Sequence, residues 1–278
     1  MIQFTIVTPC YNAEQHIEET IHSVFAQRAL HTGRAKLEYI IVDGKSSDGT
    51  VTLIEKCATD FTHGTTHILS EPDRGMYEAL AKGLKLATGQ VCAYLNAGDL
   101  YSPHAFDIVI DVLETHMVQW LTGLRTVHNE KGQMVSCQLP FPYRSRLFQG
   151  GLYDNITLPH LQQESTFWHS ELHEFIDFNR LAEFKYAGDY YLWSCFAQHT
   201  ELKIVEAHLG GFRVHAGQLS ENFDAYTAEL HAIGRQPDLL DRMIALSDKA
   251  LSHMPRRLWQ RLYSEAVLSF DHTTQRWR

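Results

Sequence analysis

Asp43, Asp73, Arg74 and Asp99 each stand in a short polar turn behind an apolar run, and this placement carries most of the chemistry in the 278-residue chain. A carboxylate at Asp43 can accept hydrogen bonds from a base edge or a ribose hydroxyl. Arg74 offers a planar fork of donors to a carboxylate or a phosphate. Asp99 is a candidate ligand for Mg²⁺ or Mn²⁺, ions that take one or two protein carboxylates and complete their shell with phosphate oxygens and water. His215 could add an imidazole, which suits Mn²⁺ better than Mg²⁺. Together these groups fit a nucleotide diphosphate. Each also has a plainer role: Asp43 as a turn acid accepting backbone amides, Asp99 as a cap or turn acid ahead of Pro103, His215 as a structural residue behind a strand.

The elements that must position these residues can be read from residue spacing. In residues 71–99, Met76, Ala79, Leu80, Gly83, Leu84 and Leu86 recur at helical spacing with Glu78, Lys82 and Lys85 between them, which predicts an amphipathic helix ended by Gly89. The continuous apolar run 91–95 suits a strand covered on both faces of a parallel sheet. Upstream, 4–7 reads as a strand stopped at Pro9. Asn12 is placed to cap a helix from Ala13, with Ile17, Thr20, Ile21, Val24 and Phe25 on its buried face. Residues 37–42 form a strand running into Asp43, 50–57 a helix and 67–70 a third strand. Such alternation builds a parallel sheet with right-handed crossovers. Its strand ends lie side by side, so Asn12, Asp43, Asp73 and Asp99 are expected to meet in one cleft, where open α/β sheets bind ligands. From about residue 118 the strands shorten (120–127, 134–138), followed by a helix at 187–198 and a strand at 202–205. Beyond 222 the chain turns helical and charged.

Composition narrows the class. A chain that is 44% hydrophobic can bury a full core, and a net charge of −9 argues against nucleic acid as a partner. Five cysteines, Cys10, Cys57, Cys92, Cys137 and Cys195, contain no CxxC pair and read as reduced thiols of a cytoplasmic protein. No apolar stretch reaches the roughly 18 to 20 residues of a membrane helix. The 17 histidines are scattered and mostly carry no assigned role.

TIVTPCYN, IIVDGKSSDGT, EPDRGMYEAL and LNAGD, in this order, resemble the motifs of family 2 glycosyltransferases with the GT-A fold, a mostly parallel sheet flanked by helices. The later QQESTFW, AGDYYLW and FRVHAGQLS resemble bacterial members that build cell-surface polysaccharides, and the likeness covers roughly residues 2–220. It implies a GT-A domain over 1–222, with a nucleotide-binding half at 1–117 and an acceptor-side half at 118–222, and then a helical extension over 223–278. By the same resemblance Thr8, Pro9, Tyr11 and Asn12 border the nucleotide, Asp43 contacts the base, and Asp73 and Arg74 lie near ribose and phosphate. Asn96, Ala97, Gly98 and Asp99 replace the family's DxD metal motif, of which only the final acid is kept. Asp189 falls on the family's catalytic base, with Glu164 as second choice. Inverting transfer needs a base to take the acceptor's proton, and an ordinary Asp pKa near 3.9 would keep that base ionised.

Tyr77 and Trp168 could offer aromatic faces to an acceptor sugar, although aromatic residues in such patterns are usually core. Residues 255–270 gather Arg256, Arg257 and Arg261 with Leu258, Trp259, Leu262 and Tyr263, a candidate basic amphipathic helix for peripheral contact with the inner face of a membrane or for a second subunit. The resemblance implies a UDP-sugar donor and a saccharide or lipid-linked saccharide acceptor. The alternatives are a sugar-phosphate nucleotidyltransferase, whose usual glycine- and arginine-rich opening loop TPCYNAEQ lacks, a glycoside hydrolase using Asp189 and Glu164, and a non-catalytic nucleotide-sugar or glycan binding module.

Overall fold

The computed structural model describes residues 1–59, 61–215, 218 and 222–278. Strand β1 (Ile2–Cys10) pairs in parallel with β2 (Ala35–Asp43) and with β4 (Val91–Tyr94), and β2 pairs with β3 (Gly64–Ser70). The intervening helices are α1 (Ile17–Phe25), α2 (Arg28–His31), α3 (Thr50–Thr59) and α4 (Met76–Leu86). The uninterrupted apolar runs of β1, β2 and β4 are buried on both faces, as a sheet covered by helices requires.

Beyond α4 come β5 (Leu100–Tyr101), α5 (Ala105–Thr115), β6 (Trp120–Thr122), β7 (Arg125–His128), β8 (Met134–Gln138) and α6 (Ser145–Gln149). They are followed by β9 (Thr166–His169), α7 (Phe178–Leu181), α8 (Gly188–Phe196), β10 (Lys203–Val205) and β11 (Gly210–Arg213). The chain continues through α9 (Phe223–Ile233), α10 (Leu239–Ser252), α11 (Arg256–Trp259), β12 (Val267–Leu268), β13 (Phe270–Asp271) and β14 (Arg276–Trp277). Among the described residues the main sheet runs β12-β10-β6-β9-β4-β1-β2-β3, and only β9 lies antiparallel to its neighbours. A second sheet, β5-β11-β7-β8, lies beside it.

Five sequence expectations change. Strand β1 continues through Pro9, because the amide that proline lacks points to the β4 side, where no partner remains beyond Val7; Cys10 resumes the β2 ladder through Gly44 N–H at 2.9 Å. Helix α1 begins at Ile17, not Ala13, and Asn12 does not cap it. The expected strand 120–127 breaks in two, as Gly123 N–H turns to Ser165 O (3.1 Å) and Leu124 N–H to Ala207 O (2.8 Å), carrying the chain from one sheet to the other. The C-terminal region is not a helical appendage: β12 is an edge strand of the main sheet, and Leu230, Ala245, Leu268 and Trp277 are buried in the principal core. Residues 255–270 are likewise not one amphipathic helix. Only the single turn Arg256–Trp259 is helical, Trp259 is buried, and Arg256 pairs with Glu206.

Candidate active site

The ends of β1 and β2 are stitched together before any ligand is considered. Asn12, in left-handed backbone (φ 46°), accepts from Ser47 N–H at 2.9 Å, and its own N–H donates to Ser46 Oγ at 2.8 Å. Ala13 N–H donates to Thr50 Oγ1 (2.7 Å) and Gly49 N–H to Glu14 (2.7 Å). Asp43 is fully buried and accepts from Ser46 N–H (3.0 Å), from the Ser46 hydroxyl and from Ser70 Oγ (2.7 Å). Its oxygens therefore hold the turn and present no open acceptor to a base, which corrects the direct contact expected of it. Thr8 is also corrected: its hydroxyl is buried against Tyr39 OH at 2.9 Å, and Pro9 is buried beside it. Tyr11 and Asn12 remain exposed at the cleft.

Asp73 does arrive beside this turn. A side chain on Gly44 would lie 2.8 Å from Asp73 Oδ2, while Asp73 Oδ1 accepts from Gly75 N–H at 2.9 Å ahead of α4. Burial raises the Asp73 pKa. Arg74 is exposed and paired with Glu78, its next turn on the helix, at 2.6 Å. Its Nη2 also donates to Ala182 O at 3.4 Å, and the rest of the side chain is open to solvent.

At the end of β4 the residues are packed differently. Asp99 is buried, with Oδ1 accepting from the backbone of Arg213 at 2.9 Å, and Thr20 Oγ1 ties the turn by accepting from Gly98 N–H (2.8 Å) and donating to Asp99 O (3.0 Å). Asn96 donates to Gln163 Oε1 at 3.2 Å, and Gln163 in turn donates to Tyr94 O at 2.5 Å, so the 3₁₀ turn Gln163–Ser165 clamps the exit of β4. Ala97 is half-buried in the same turn. Among the described residues, two buried oxygens here, Asn96 Oδ1 and Glu164 Oε2, have no hydrogen-bond partner. Burial pushes the Asp99 carboxyl well above the carboxylate range, and the nearby Glu164 pushes it further. Glu164 itself is pushed up to about 7 by burial and by Asp189.

His215 also reaches this turn: a side chain on Gly98 would lie 3.7 Å from its Nε2. Its ring also meets that of His16 at 5.0 Å between centroids. His16 lies 3.5 Å from the guanidinium of Arg213, which is buried and bound to Glu19. Burial, His215 and Arg213 lower the His16 pKa. His16 carried no signal in the sequence, and Gln163 only its place in QQESTFW beside Glu164, since each reaches the turn from a distant segment. The donor set at Asp99, with Asn96 Oδ1 unpartnered beside it, is oxygen-rich and fits a hard divalent cation whose positive charge would keep the buried carboxylate ionised.

Asp189 lies in the first turn of α8, one residue inside rather than at the cap, which is Ala187. Gly188 is needed there because a Cβ would fall 2.4 Å from the Tyr77 ring. Asp189 Oδ1 accepts from Tyr190 N–H (2.7 Å) and Tyr77 OH (3.3 Å). The side chain keeps some surface open to solvent yet is ringed by protein, and burial pushes its pKa up to about 7, not the ordinary value expected from sequence. The helix has no side-chain cap of its own. Instead Glu229 of α9 accepts from the backbone N–H groups of Lys185 (3.0 Å), Tyr186 (2.8 Å) and Ala187 (2.9 Å). Tyr77 and Trp168, expected to stack on a sugar, are 2% and 1% exposed; both are core residues, and Tyr77 reaches the site only through its hydroxyl.

Among the described residues, one compact trio of ligating side chains, Glu18, His22 and Cys57, lies on the outer side of α1 and α3, and Glu18 there already pairs with Lys56 at 3.5 Å.

Comparison with known proteins bears on this arrangement. A family model described as "Glycosyl transferase family 2" matches residues 5–169. The putative teichuronic acid biosynthesis glycosyltransferase TuaG of Bacillus subtilis is 34% identical over 96 residues, 34% of this chain and 35% of its own. The chain spans well under half the length of several of the curated relatives it matches, 38% for an uncharacterized glycosyltransferase of Mycobacterium tuberculosis. Among solved structures, S. aureus TarS 1-349 in complex with UDP-GlcNAc is similar at a TM-score of 0.65 and 16% identity, covering 94% of this chain and 76% of that one. The mannosyltransferase PcManGT from Pyrobaculum calidifontis, in complex with GDP-Man and Mn²⁺, is similar at a TM-score of 0.55 and 16% identity, covering 95% and 79%. These likenesses are of fold: the GT-A arrangement of a mostly parallel sheet between helices.

Proposed function

This chain belongs to glycosyl transferase family 2, and from that we propose an inverting, metal-dependent transfer of a sugar from a nucleotide-diphosphate donor to a saccharide hydroxyl, in the assembly of a surface polysaccharide. The observation that carries the proposal is the run of enclosed carboxyls Asp189, Glu164 and Asp99, in which Asp189 raises the pKa of Glu164 and Glu164 that of Asp99, with the buried oxygens Asn96 Oδ1 and Glu164 Oε2 lacking partners among the described residues. Buried polar groups left unpaired are costly, so such a line is expected where a ligand completes it.

Asp189 is the base. With its pKa near 7 it is part ionised at neutral pH and matched to taking a proton from a hydroxyl. The acceptor oxygen loses that proton to Asp189 and bonds to the anomeric carbon, and the bond from that carbon to the diphosphate breaks with its electron pair leaving on the phosphate oxygen. Glu164 is fully enclosed and ranks second. Its neighbourhood favours the protonated form, which suits a hydrogen-bond donor within the cleft better than a base. Asp99, with Asn96 and His215 beside it, would hold Mn²⁺ or Mg²⁺. Such an ion offsets charge accumulating on the diphosphate. Tyr11, Asn12, Asp73 and Arg74 line the donor side, with Arg74 free to swing from Glu78 onto a phosphate. A UDP-sugar is the first donor to test, because TarS, a fold neighbour, was solved with UDP-GlcNAc. The name of TuaG, a putative teichuronic acid biosynthesis glycosyltransferase, supports the polysaccharide context.

The test is transfer and donor hydrolysis with UDP-, GDP- and dTDP-sugars, with and without Mn²⁺, in the parent and in Asp189→Asn and Asp99→Asn. Asp189→Asn is expected to lower kcat by about 10²–10⁴-fold while nucleotide binding persists; Asp99→Asn should remove the metal response. Parent-like, metal-dependent turnover in both variants would show that the residues are misassigned. Tight nucleotide binding with no turnover of any donor would favour a binding module.

A further inference from the structure

Helix α10 is inside out. Its buried positions are Asp241, Ala245 and Asp248, spaced four and three residues apart, while Leu239, Met243 and Leu246, two residues earlier or later around the same helix, are 75%, 58% and 67% exposed. Two residues are about 200° at 3.6 residues per turn, so the acids and the large apolar side chains occupy opposite faces. The acids are firmly held. Asp241 accepts from Arg146 (2.5 Å) and Arg235 (2.5 and 2.9 Å), and Asp248 from Arg144 (2.7 and 3.0 Å) and Tyr263 OH (2.9 Å). A helix docked on its own domain buries its apolar stripe and turns charge outward; here ion pairs fix the reverse orientation.

Leu240 within the helix is exposed as well, and beyond it so are Leu258 and Leu262, the last by 72%. Between residues 239 and 262 the only acids, Asp241 and Asp248, are buried, whereas Arg242, Lys249, Arg257 and Arg261 are exposed. This basic, apolar surface belongs to a chain whose net charge is −9. We propose that the face formed by α10 and the segment through Leu262 seats the protein on an anionic lipid bilayer, with the leucines and Met243 at the acyl boundary and the arginines among the phosphates. A second copy of the chain is the weaker occupant, since two-fold pairing would lay this basic face on an identical basic face, with no exposed acid between residues 239 and 262 to answer it.

The seat bears on the chemistry. Helix α9, which leads into α10, carries Glu229, whose carboxylate holds the amides at the start of the helix bearing Asp189. Docking through α10 would therefore bring the acceptor side of the cleft toward the membrane and fit a lipid-linked saccharide acceptor. That last step rests on the function proposed above; the lipid seat does not.

Flotation of the whole chain with phosphatidylcholine vesicles, with and without phosphatidylglycerol, tests the seat. The protein is expected to float with the anionic vesicles and to be released by salt. Arg257→Gln and Arg261→Gln should each lower partitioning about fivefold, and Met243→Ser with Leu246→Ser should abolish it at low salt. Because these residues lie outside the cleft, nucleotide binding and far-UV circular dichroism should be unchanged in all of them. Absence from the anionic vesicle fraction overturns the proposal. So does a parent chain that is dimeric in sedimentation and becomes monomeric on Met243→Ser with Leu246→Ser while vesicle binding stays as in the parent, which would make this face a subunit contact. Loss of transfer with vesicle binding intact would count against the proposed function alone.

Discussion

Asp43 at the end of β2 and Asp99 at the end of β4 occupy equivalent places, two strands apart in one parallel sheet, and both are buried. Asp43 is saturated by two serine hydroxyls and an amide from its own and the neighbouring turn. Asp99 receives one amide from Arg213, faces a second buried carboxyl in Glu164, and lies beside an asparagine oxygen with no partner among the described residues. The contrast separates scaffold from site. Where the polar groups of a turn satisfy one another, the turn is rigid and complete; where buried groups stay short of partners and carboxyls crowd together, the arrangement is completed by something the chain binds.

Removing Asp43 tests the scaffold half of this contrast. Asp43→Ala would leave the amide and hydroxyl of half-buried Ser46 and the hydroxyl of Ser70 without their acceptor and should cost about 1–3 kcal/mol of stability, read as a fall in Tm, with the shape of the pH–rate profile unchanged. A variant that folds as stably as the parent and has lost only donor binding would put Asp43 back into the site. Glu229→Gln tests how the base is held. It keeps one acceptor oxygen but removes a negative charge that faces Asp189 together with Tyr77, Tyr94, Glu164, Tyr190 and Tyr226. We expect about a tenfold loss of kcat and an acid limb moved to lower pH, because the like charge that raised the Asp189 pKa is gone. Faster amide exchange at residues 185–187 reports the lost cap separately. A fall in kcat with an unmoved acid limb would reduce Glu229 to a structural brace.

The smallest effect is expected at Glu164. Its folded pKa, about 7, lies above the ordinary carboxyl value, so the native state holds a proton that the unfolded chain releases. Its contribution to stability is present in full below the ordinary carboxyl pKa and is lost as pH rises through about 7. Glu164→Gln should therefore flatten the fall in Tm over that window and raise Tm at pH 8 by a few degrees. An unchanged pH dependence of Tm would show that Glu164 is ionised and paired in the folded protein.

Much of the scaffold was legible because its signals are local. Helix α4 follows from apolar spacing within eleven residues, and β4 from one continuous apolar run. The order of polar turns was equally readable, since each follows its strand in sequence. What failed involved partners far away in the chain. Asn12 looks like a helix cap, but its acceptor oxygen serves Ser47, 35 residues on. Tyr77 and Trp168 have the residue type of a sugar platform, and only the packing of α4 and β9 shows that their rings are interior. Residues 255–270 have helical amphipathicity, yet pairing with β10 draws Val267 and Leu268 into the main sheet.

The sequence by itself determined the alternation of strands and helices, the parallel sheet they build and the side of it on which Asn12, Asp43, Asp73 and Asp99 gather, because periodicity and chain order are properties of neighbouring residues. Only the tertiary structure decided which of those acids is closed off and which stands among other carboxyls, that Asp189 titrates near neutrality under the hold of Glu229, and that α10 turns its leucines outward. Burial, pKa and helix orientation depend on what surrounds a group, and the surrounding atoms come from segments tens to more than a hundred residues apart.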